Sequence, residues 1–294
     1  MATFRAPAAQ AAYIMKALQG HHLRSVGTVR NYEQGLTRVA EWTQRERLPG
    51  GLRAMTPELA IRYLEQRGQE VGQKALDMER QAMQAMMQHV TGQLAHGARI
   101  PVIKSEQAQV LMARAYTAPQ VALIAAAQTP RHGLATELAY AAGLRAHELL
   151  TLRRGEERAA DPRPALASKW QGRDGVIYTV HGKGGLVREV LLPHALAERL
   201  EAVRLDAPLA ITDRGIHYQS HYDIGGGQRW SNSVSAASER ALGWSTGAHG
   251  LRHSYAQERM TELQNRGLSR DAALETVSQE MGHFRPEITE TYLR

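Results

Sequence analysis

Residues 177–192 read Ile-Tyr-Thr-Val-His-Gly-Lys-Gly-Gly-Leu-Val-Arg-Glu-Val-Leu-Leu. Two runs rich in β-branched, aromatic and aliphatic residues, Ile177 to Val180 and Val187 to Leu192, flank the Gly-rich turn His181 to Gly185. That arrangement predicts a hairpin. Outward from it the pattern turns helical. Helices are expected over Thr117 to Gln128 and His132 to Ala142, with a helical turn from Arg145 to Leu152. Downstream they resume near His194 and over Ser231 to Leu242, His249 to Arg266 and Ser269 to Met281. The strands come together instead of alternating with helices, so the order predicts a mainly α domain of α+β class with a small antiparallel sheet, not a parallel α/β sheet.

The first third shows helical periodicity alone. Val29, Tyr32, Leu36, Val39 and Trp42 fall at steps of three and four between Ser25 and Arg47, on one face of an amphipathic helix that Pro49, Gly50 and Gly51 end. Thr56-Pro57-Glu58 starts the next, with Thr as N-cap and Pro at the first helical position; it carries Leu59, Tyr63 and Leu64 and stops at Gly68. A third is expected from Gln73 to Leu94. Its Met83, Met86 and Met87 suit either a binding surface or, more simply, a core filled by flexible side chains. With a shorter helix from Ala8 to Leu18 this makes a bundle of four. Gly97 to Pro101 reads as a linker, which places an N-terminal helical domain at 1–100 and a second domain at 101–294.

Charge supports the same division. The chain holds 36 Lys+Arg and 29 Asp+Glu, a formal net +7. Residues 1–104 carry 14 basic and 8 acidic residues, net +6, leaving 22 and 21, net +1, for the remainder. A basic first third fits a polyanion partner such as nucleic acid, or an ordinary solvated surface. Arg outnumbers Lys 31 to 5, and no Lys follows Lys183. The absence of Cys removes disulfides, thiolate nucleophiles and Cys-ligated metal sites. The longest apolar run, Val121 to Ala127, is far shorter than the roughly 20 residues of a membrane span. Pro7, Gln10 and Lys16 interrupt the N-terminal stretch, unlike a secretory signal, so a cytoplasmic protein with no membrane partner is expected.

Clustered ionisable groups occur in four fragments: Gly143-Leu-Arg-Ala-His-Glu-Leu149, His181-Gly-Lys-Gly-Gly185, His249-Gly-Leu-Arg-His253, and Gly282-His-Phe-Arg285 with Tyr292 nine residues past His283. Taken singly, each has an ordinary alternative: Arg145 and Glu148 as a surface ion pair, Lys183 as a solvated turn residue, either His as a cap. His249 and His253 stand four apart, a spacing that suits zinc, with His283 as a third ligand. Against this, no Glu accompanies the pair as in a metalloprotease helix, and Arg252 would set a cation beside the metal. No metal is expected.

Taken in order, Arg145, Lys183, His249-x-x-Arg252, His283 and Tyr292 resemble the tyrosine recombinase (phage integrase) family. The Gly-Leu-Arg-x-x-Glu-Leu setting of Arg145, the Gly-Lys-Gly hairpin, the run Leu251 to Ala256 and the Gly-His to Tyr interval carry the likeness over Gly143 to Tyr292. The first third is similar to the family's core-binding domain only in length and helical pattern. Leu186 stands where a base is common, with Arg188 nearby, and Ile211 to Trp230 has no counterpart and reads as an insertion. Two residues follow Tyr292, where many members carry a segment that docks on a neighbouring subunit.

The resemblance implies that Tyr292 attacks a DNA phosphodiester, forming a 3′-phosphotyrosyl link and freeing a 5′-hydroxyl that attacks a partner strand. Arg145 and Arg252 would bind the non-bridging oxygens with guanidinium forks, which Lys replaces poorly. His283 would donate to the same group, and His249 would accept the phenolic proton. Glu148 is expected to orient its neighbours. The leaving 5′-oxygen needs an acid. Arg cannot release a proton near neutral pH whereas Lys can, so a Lys at the hairpin tip of an Arg-rich chain fits that role. No cofactor is implied. The expected partner is double-stranded DNA bearing a specific recombination site, gripped by a basic clamp and a catalytic domain. The expected assembly is a tetramer on synapsed DNA, with a monomer when free. Competing readings are a type IB topoisomerase-like enzyme without strand exchange between duplexes, and a non-catalytic DNA-binding protein.

Overall fold

Helices form where the three-and-four spacing foretells them, in a computed structural model that describes residues 6–19, 26–108 and 112–294. The chain divides into two units, Met1–Val110 and Leu111–Arg294.

In the first unit α1 (Pro7–Leu18), α2 (Val26–Arg45), α3 (Pro57–Gly68) and α4 (Gln73–Met86) enclose one core that holds Leu36, Val39, Trp42, Tyr63, Leu64 and the buried Met83, Met86 and Met87. The methionines are therefore core. Thr56 caps α3 by accepting the Leu59 N–H at 3.3 Å. The α4 pattern does not run as α-helix to Leu94. A single π turn, Met87–Thr91, follows, and Gly92 at φ 69° closes it. The Gly97 to Pro101 stretch is packed on this unit. Ile100 is buried, its N–H donates to Gln84, and its carbonyl accepts from Arg80; Gln73 donates to the Ile103 carbonyl. Gly and Pro punctuate a strap there, and the division between units comes later, at Val110/Leu111.

In the second unit α5 (Ala118–Ala126) and α6 (Pro130–Ala142) precede a 3-10 turn, Glu148–Thr151. Strands β1 (Arg153–Arg154), β2 (Val176–His181) and β3 (Val187–Leu192) form an antiparallel sheet in that order, with Ile177 opposite Leu191 and His181 opposite Val187. Helix α7 (His194–Glu201) leads to a second antiparallel hairpin, β4 (Arg204–Asp213) and β5 (Ile216–Tyr222). Helices α8 (Gly227–Leu242), α9 (Gly250–Asn265), α10 (Arg270–Glu280) and α11 (Pro286–Thr289) follow, and a 3-10 turn, Glu290–Tyr292, completes the order. The inward faces of β2 and β3, including Tyr178, Val180, Val190 and Leu192, share a core with Leu138, Trp230 and Val234. A smaller core joins α9 and α10 through Tyr255, Leu263, Val277 and Met281, with Tyr292 on it.

The second hairpin occupies part of the segment that reads as an insertion, and the sequence gives little sign of it. Most of β4 is exposed, so selection for alternating apolar residues is absent, and Pro208 sits in the register shift between Arg204 and Leu209. The mainly α, α+β class with antiparallel sheets is the fold observed. No helix among the described residues is long and apolar enough to cross a membrane.

Candidate active site

Each candidate side chain is set by a local device. Helix α6 ends at Gly143, φ 58°, where an added Cβ would stand 2.8 Å from the Tyr255 ring. Both the angle and the close approach call for glycine. The reversal delivers Arg145 into a turn closed by Glu148, whose carboxylate accepts the Arg145 backbone N–H and Nη1, each at 2.7 Å. Arg252 lies in the first turn of α9, fully buried. It donates to the carbonyls of Gly143 and Met281 and from Nη2 to His283 Nε2 at 3.0 Å, and stands 3.9 Å from Glu148. Beyond α10, Gly282 at φ 71° and Phe284 at φ 53° turn the chain so that His283 faces back toward Arg252.

Helix α11 and the turn after it place Tyr292 on the same cluster. The residue is 8% exposed, and its ring has the imidazoles of His253, His283 and His249 at centroid distances of 4.8, 5.0 and 5.2 Å. The Arg252 guanidinium carbon lies 5.6 Å from its centroid. Arg145, Glu148, His249, Arg252, His283 and Tyr292 thus converge from segments up to 147 residues apart, counting 292 less 145. The backbone of Lys183 begins the tip of the β2–β3 hairpin, where Gly184 and Gly185 take positive φ. Its side chain lies outside the described residues. The neighbouring Gly182 backs onto Glu148, since a Cβ there would be 3.7 Å from Oε1.

Two members of the cluster, Arg188 and His253, appear in the sequence motifs without a role in the site. Arg188, on β3, is buried; it donates to Glu148 at 2.8 Å and to the Glu280 carbonyl at 2.8 Å, and packs against Gly282. It therefore ties the hairpin strand to the turns that carry Arg145 and His283. The signal was available: in Val187 to Leu192 the period of two puts Arg188 on the same face as Val190 and Leu192, a charge on a core face. His253 is buried, and its Nδ1 has no hydrogen-bond partner among the described residues.

Charge is unbalanced here. Three guanidinium groups, Arg145, Arg188 and Arg252, surround the buried carboxylate of Glu148. Burial would raise that carboxyl, but Arg188, Arg145 and Arg252 hold it well below its ordinary value. Burial and Arg145 push Arg252 down to about 10, leaving it a cation at neutral pH. Burial, then Arg252 and Arg145, lower His283 to about 3, and burial with Arg114 lowers His253 to about 4. His249 keeps an exposed face; desolvation of the rest, Arg252 and His253 shift it the same way. At neutral pH the arrangement is a cationic cradle facing a phenol among neutral imidazoles. It suits an anion with a nucleophile beside it. Among the described residues no group of three or more metal-ligating side chains is assembled.

No protein-family model and no curated protein matches the sequence. Solved structures do. The chain is similar to the XerH site-specific recombinase bound to palindromic difH substrate in a post-cleavage complex, with TM-score 0.61 and 16% identity over 98% of this chain and 81% of that one. It is also similar to a lambda integrase tetramer bound to a Holliday junction, with TM-score 0.58 and 17% identity over 97% and 76%. A lambda integrase (75-356) dimer bound to a COC′ core site gives TM-score 0.55 and 16% identity over 97% and 94%. At these identities the likeness is one of fold, and the chain has the fold of these recombinases.

Proposed function

We propose that the protein is a site-specific tyrosine recombinase that cuts and rejoins DNA through a 3′-phosphotyrosyl intermediate. The observation that carries this reading is the excess of buried guanidinium over carboxylate directly beside Tyr292. Unpaired buried positive charge is costly unless an anion completes it, and a phosphodiester has the charge and the planar oxygen pairs that guanidinium forks match. The solved complexes of similar fold contain DNA, including one tetramer on a Holliday junction.

In the proposed reaction Arg145 and Arg252 hold the non-bridging oxygens, and His283 donates to the same group as negative charge builds in the transition state. The Tyr292 oxygen attacks phosphorus, its proton passing to the neutral His249 imidazole, while Lys183 protonates the leaving 5′-oxygen. Religation reverses these steps with a 5′-hydroxyl from a partner strand. Glu148 and Arg188 orient the cradle. The phosphodiester energy is kept in the phosphotyrosine, so no cofactor enters. The basic first unit serves as the DNA clamp and the second as the catalytic domain, in a cytoplasmic protein that assembles as a tetramer on two synapsed sites.

The test starts from a pool of nicked duplexes with randomised centres, from which denaturation-resistant protein-DNA adducts are recovered. Wild-type protein should form them and Tyr292→Phe should not; no adduct from any duplex overturns the reading. On the recovered site, Lys183→Arg should block cleavage of ordinary DNA and spare a 5′-thiolate leaving group. Two plasmids carrying that site should exchange strands, whereas relaxation alone would identify a topoisomerase-like enzyme.

A further inference from the structure

His283 is held by two contacts whose chemistry fixes the place of its proton. Arg252 Nη2 lies 3.0 Å from Nε2, and Thr289 Oγ1 lies 2.9 Å from Nδ1. A guanidinium has donors and no acceptor, so Nε2 accepts. In the neutral ring Nδ1 then carries the hydrogen and donates it to Oγ1. Thr289 is fully buried at the end of α11, three residues before Tyr292, in the same run of backbone as the proposed nucleophile.

Resting on the reading of this cluster as a phosphodiester site, we infer that Thr289 is a positioning residue for His283. By accepting Nδ1–H, its hydroxyl keeps Nε2 turned toward Arg252 and makes Nε2 the atom that gains a proton when a phosphodiester arrives. A phosphate oxygen that draws Arg252 Nη2 to itself removes the donor from Nε2 and sets an anion beside it. The ring then takes one proton from water at Nε2 and donates that hydrogen to the phosphate oxygen. Nδ1–H stays on Thr289 throughout, and no heavy-atom bond forms or breaks in this step.

The groups around the ring agree with such a change. Burial first, then Arg252 from α9, Arg145 from the turn after α6 and Arg188 from β3, keep it neutral in the free protein. Glu148 opposes them, and the Tyr292 ring lies 5.0 Å away. A phosphodiester offsets the three cations, so the balance moves toward the imidazolium. Binding of DNA is thereby coupled to uptake of a proton, and the Thr289 hydroxyl supports the charged ring as acceptor.

Two measurements test this. Nitrogen-15 NMR of the free wild-type protein at pH 7, with His283 assigned by its loss in His283→Gln, should show hydrogen on Nδ1 and a bare Nε2. Hydrogen on Nε2 instead overturns the inference whatever the enzyme does. The second is the pH profile of adduct formation on the recovered nicked duplex. Thr289→Val, of similar shape but without the acceptor, should move the alkaline limb down by about one pH unit and slow adduct formation roughly tenfold at pH 8. Thr289→Ser should keep the wild-type profile. A slower Val variant with an unmoved limb, or a Ser variant no better than Val, means a merely structural threonine and sinks the proposal. Failure of wild-type protein to form any adduct would remove the recombinase reading, while the NMR result stands apart from it.

Discussion

Glu148 and Glu280 are both buried carboxylates, and Arg188 reaches them both, one through its carboxylate and the other through its carbonyl. Their surroundings differ in one respect. Glu280 takes a two-pronged pair from Arg259 at 2.9 Å and fills its remaining lone pairs with neutral donors, the Tyr255 hydroxyl at 2.9 Å and the Trp170 backbone N–H at 3.0 Å. That cation is itself saturated, since Arg259 Nη1 donates to Glu262 at 3.0 Å, so no positive charge is left over. Glu148 is shared by three guanidinium groups, of which Arg145 keeps an accessible side and Arg252 keeps an Nε with no partner among the described residues. Saturation marks a pair that holds α9 to α10; excess charge with spare donors marks a place prepared for an anion.

The contrast can be broken by removing one arginine from each. Arg259→Leu strands the Glu280 carboxylate, and urea denaturation should show a loss of about 3–5 kcal/mol. Arg252→Met takes a cation from a place with too many. It should slow adduct formation roughly 100- to 1,000-fold, about 2.7–4 kcal/mol, with unfolding free energy within about 1 kcal/mol of wild type. Equal stability losses in the two variants would erase the distinction.

A smaller effect sharpens it through pH. His253 in the fold lies at about 4, below its ordinary value, so the unfolded chain binds the extra proton first as pH falls. Its contribution to stability is therefore complete above about pH 6.5 and is lost toward pH 4, at up to about 1.4 kcal/mol per unit. His283, at about 3, acts in the same direction. Glu148, held low, contributes above the ordinary carboxylate range and is lost only further down. Unfolding measured from pH 7 to 3 should be flatter above pH 4 in His253→Gln; an unchanged slope there would show that the buried imidazole carries no such cost.

The motif residues were legible because their spacing is local. Gly184 and Gly185 announce a turn between two β-rich runs, His249 and Arg252 sit three apart on a helix start, and Gly143 and Gly282 precede Arg145 and His283 at chain reversals. The sequence shows Arg188 only as a base near Leu186, because its meaning lies in partners 40 and 92 residues away, Glu148 and the Glu280 carbonyl. The β4–β5 hairpin is not legible in the sequence, because a mostly exposed strand with Pro208 carries no apolar alternation. The Gly97 to Pro101 strap looked like a linker because Gly and Pro punctuate packed surface segments as readily as free ones.

By itself, the sequence determined most of the helices, the first hairpin, the α+β class, and the kinds of side chain available: guanidinium, imidazole, phenol and one tip lysine. Those follow from propensity and periodicity, which act over a few residues. Tertiary structure alone decided that three guanidinium groups share one carboxylate, that His253 joins His249 and His283 around Tyr292, and that Thr289 meets His283. Such meetings depend on which helix faces pack together, and the free energy of a buried charge is set by every group that surrounds it, not by its neighbours along the chain.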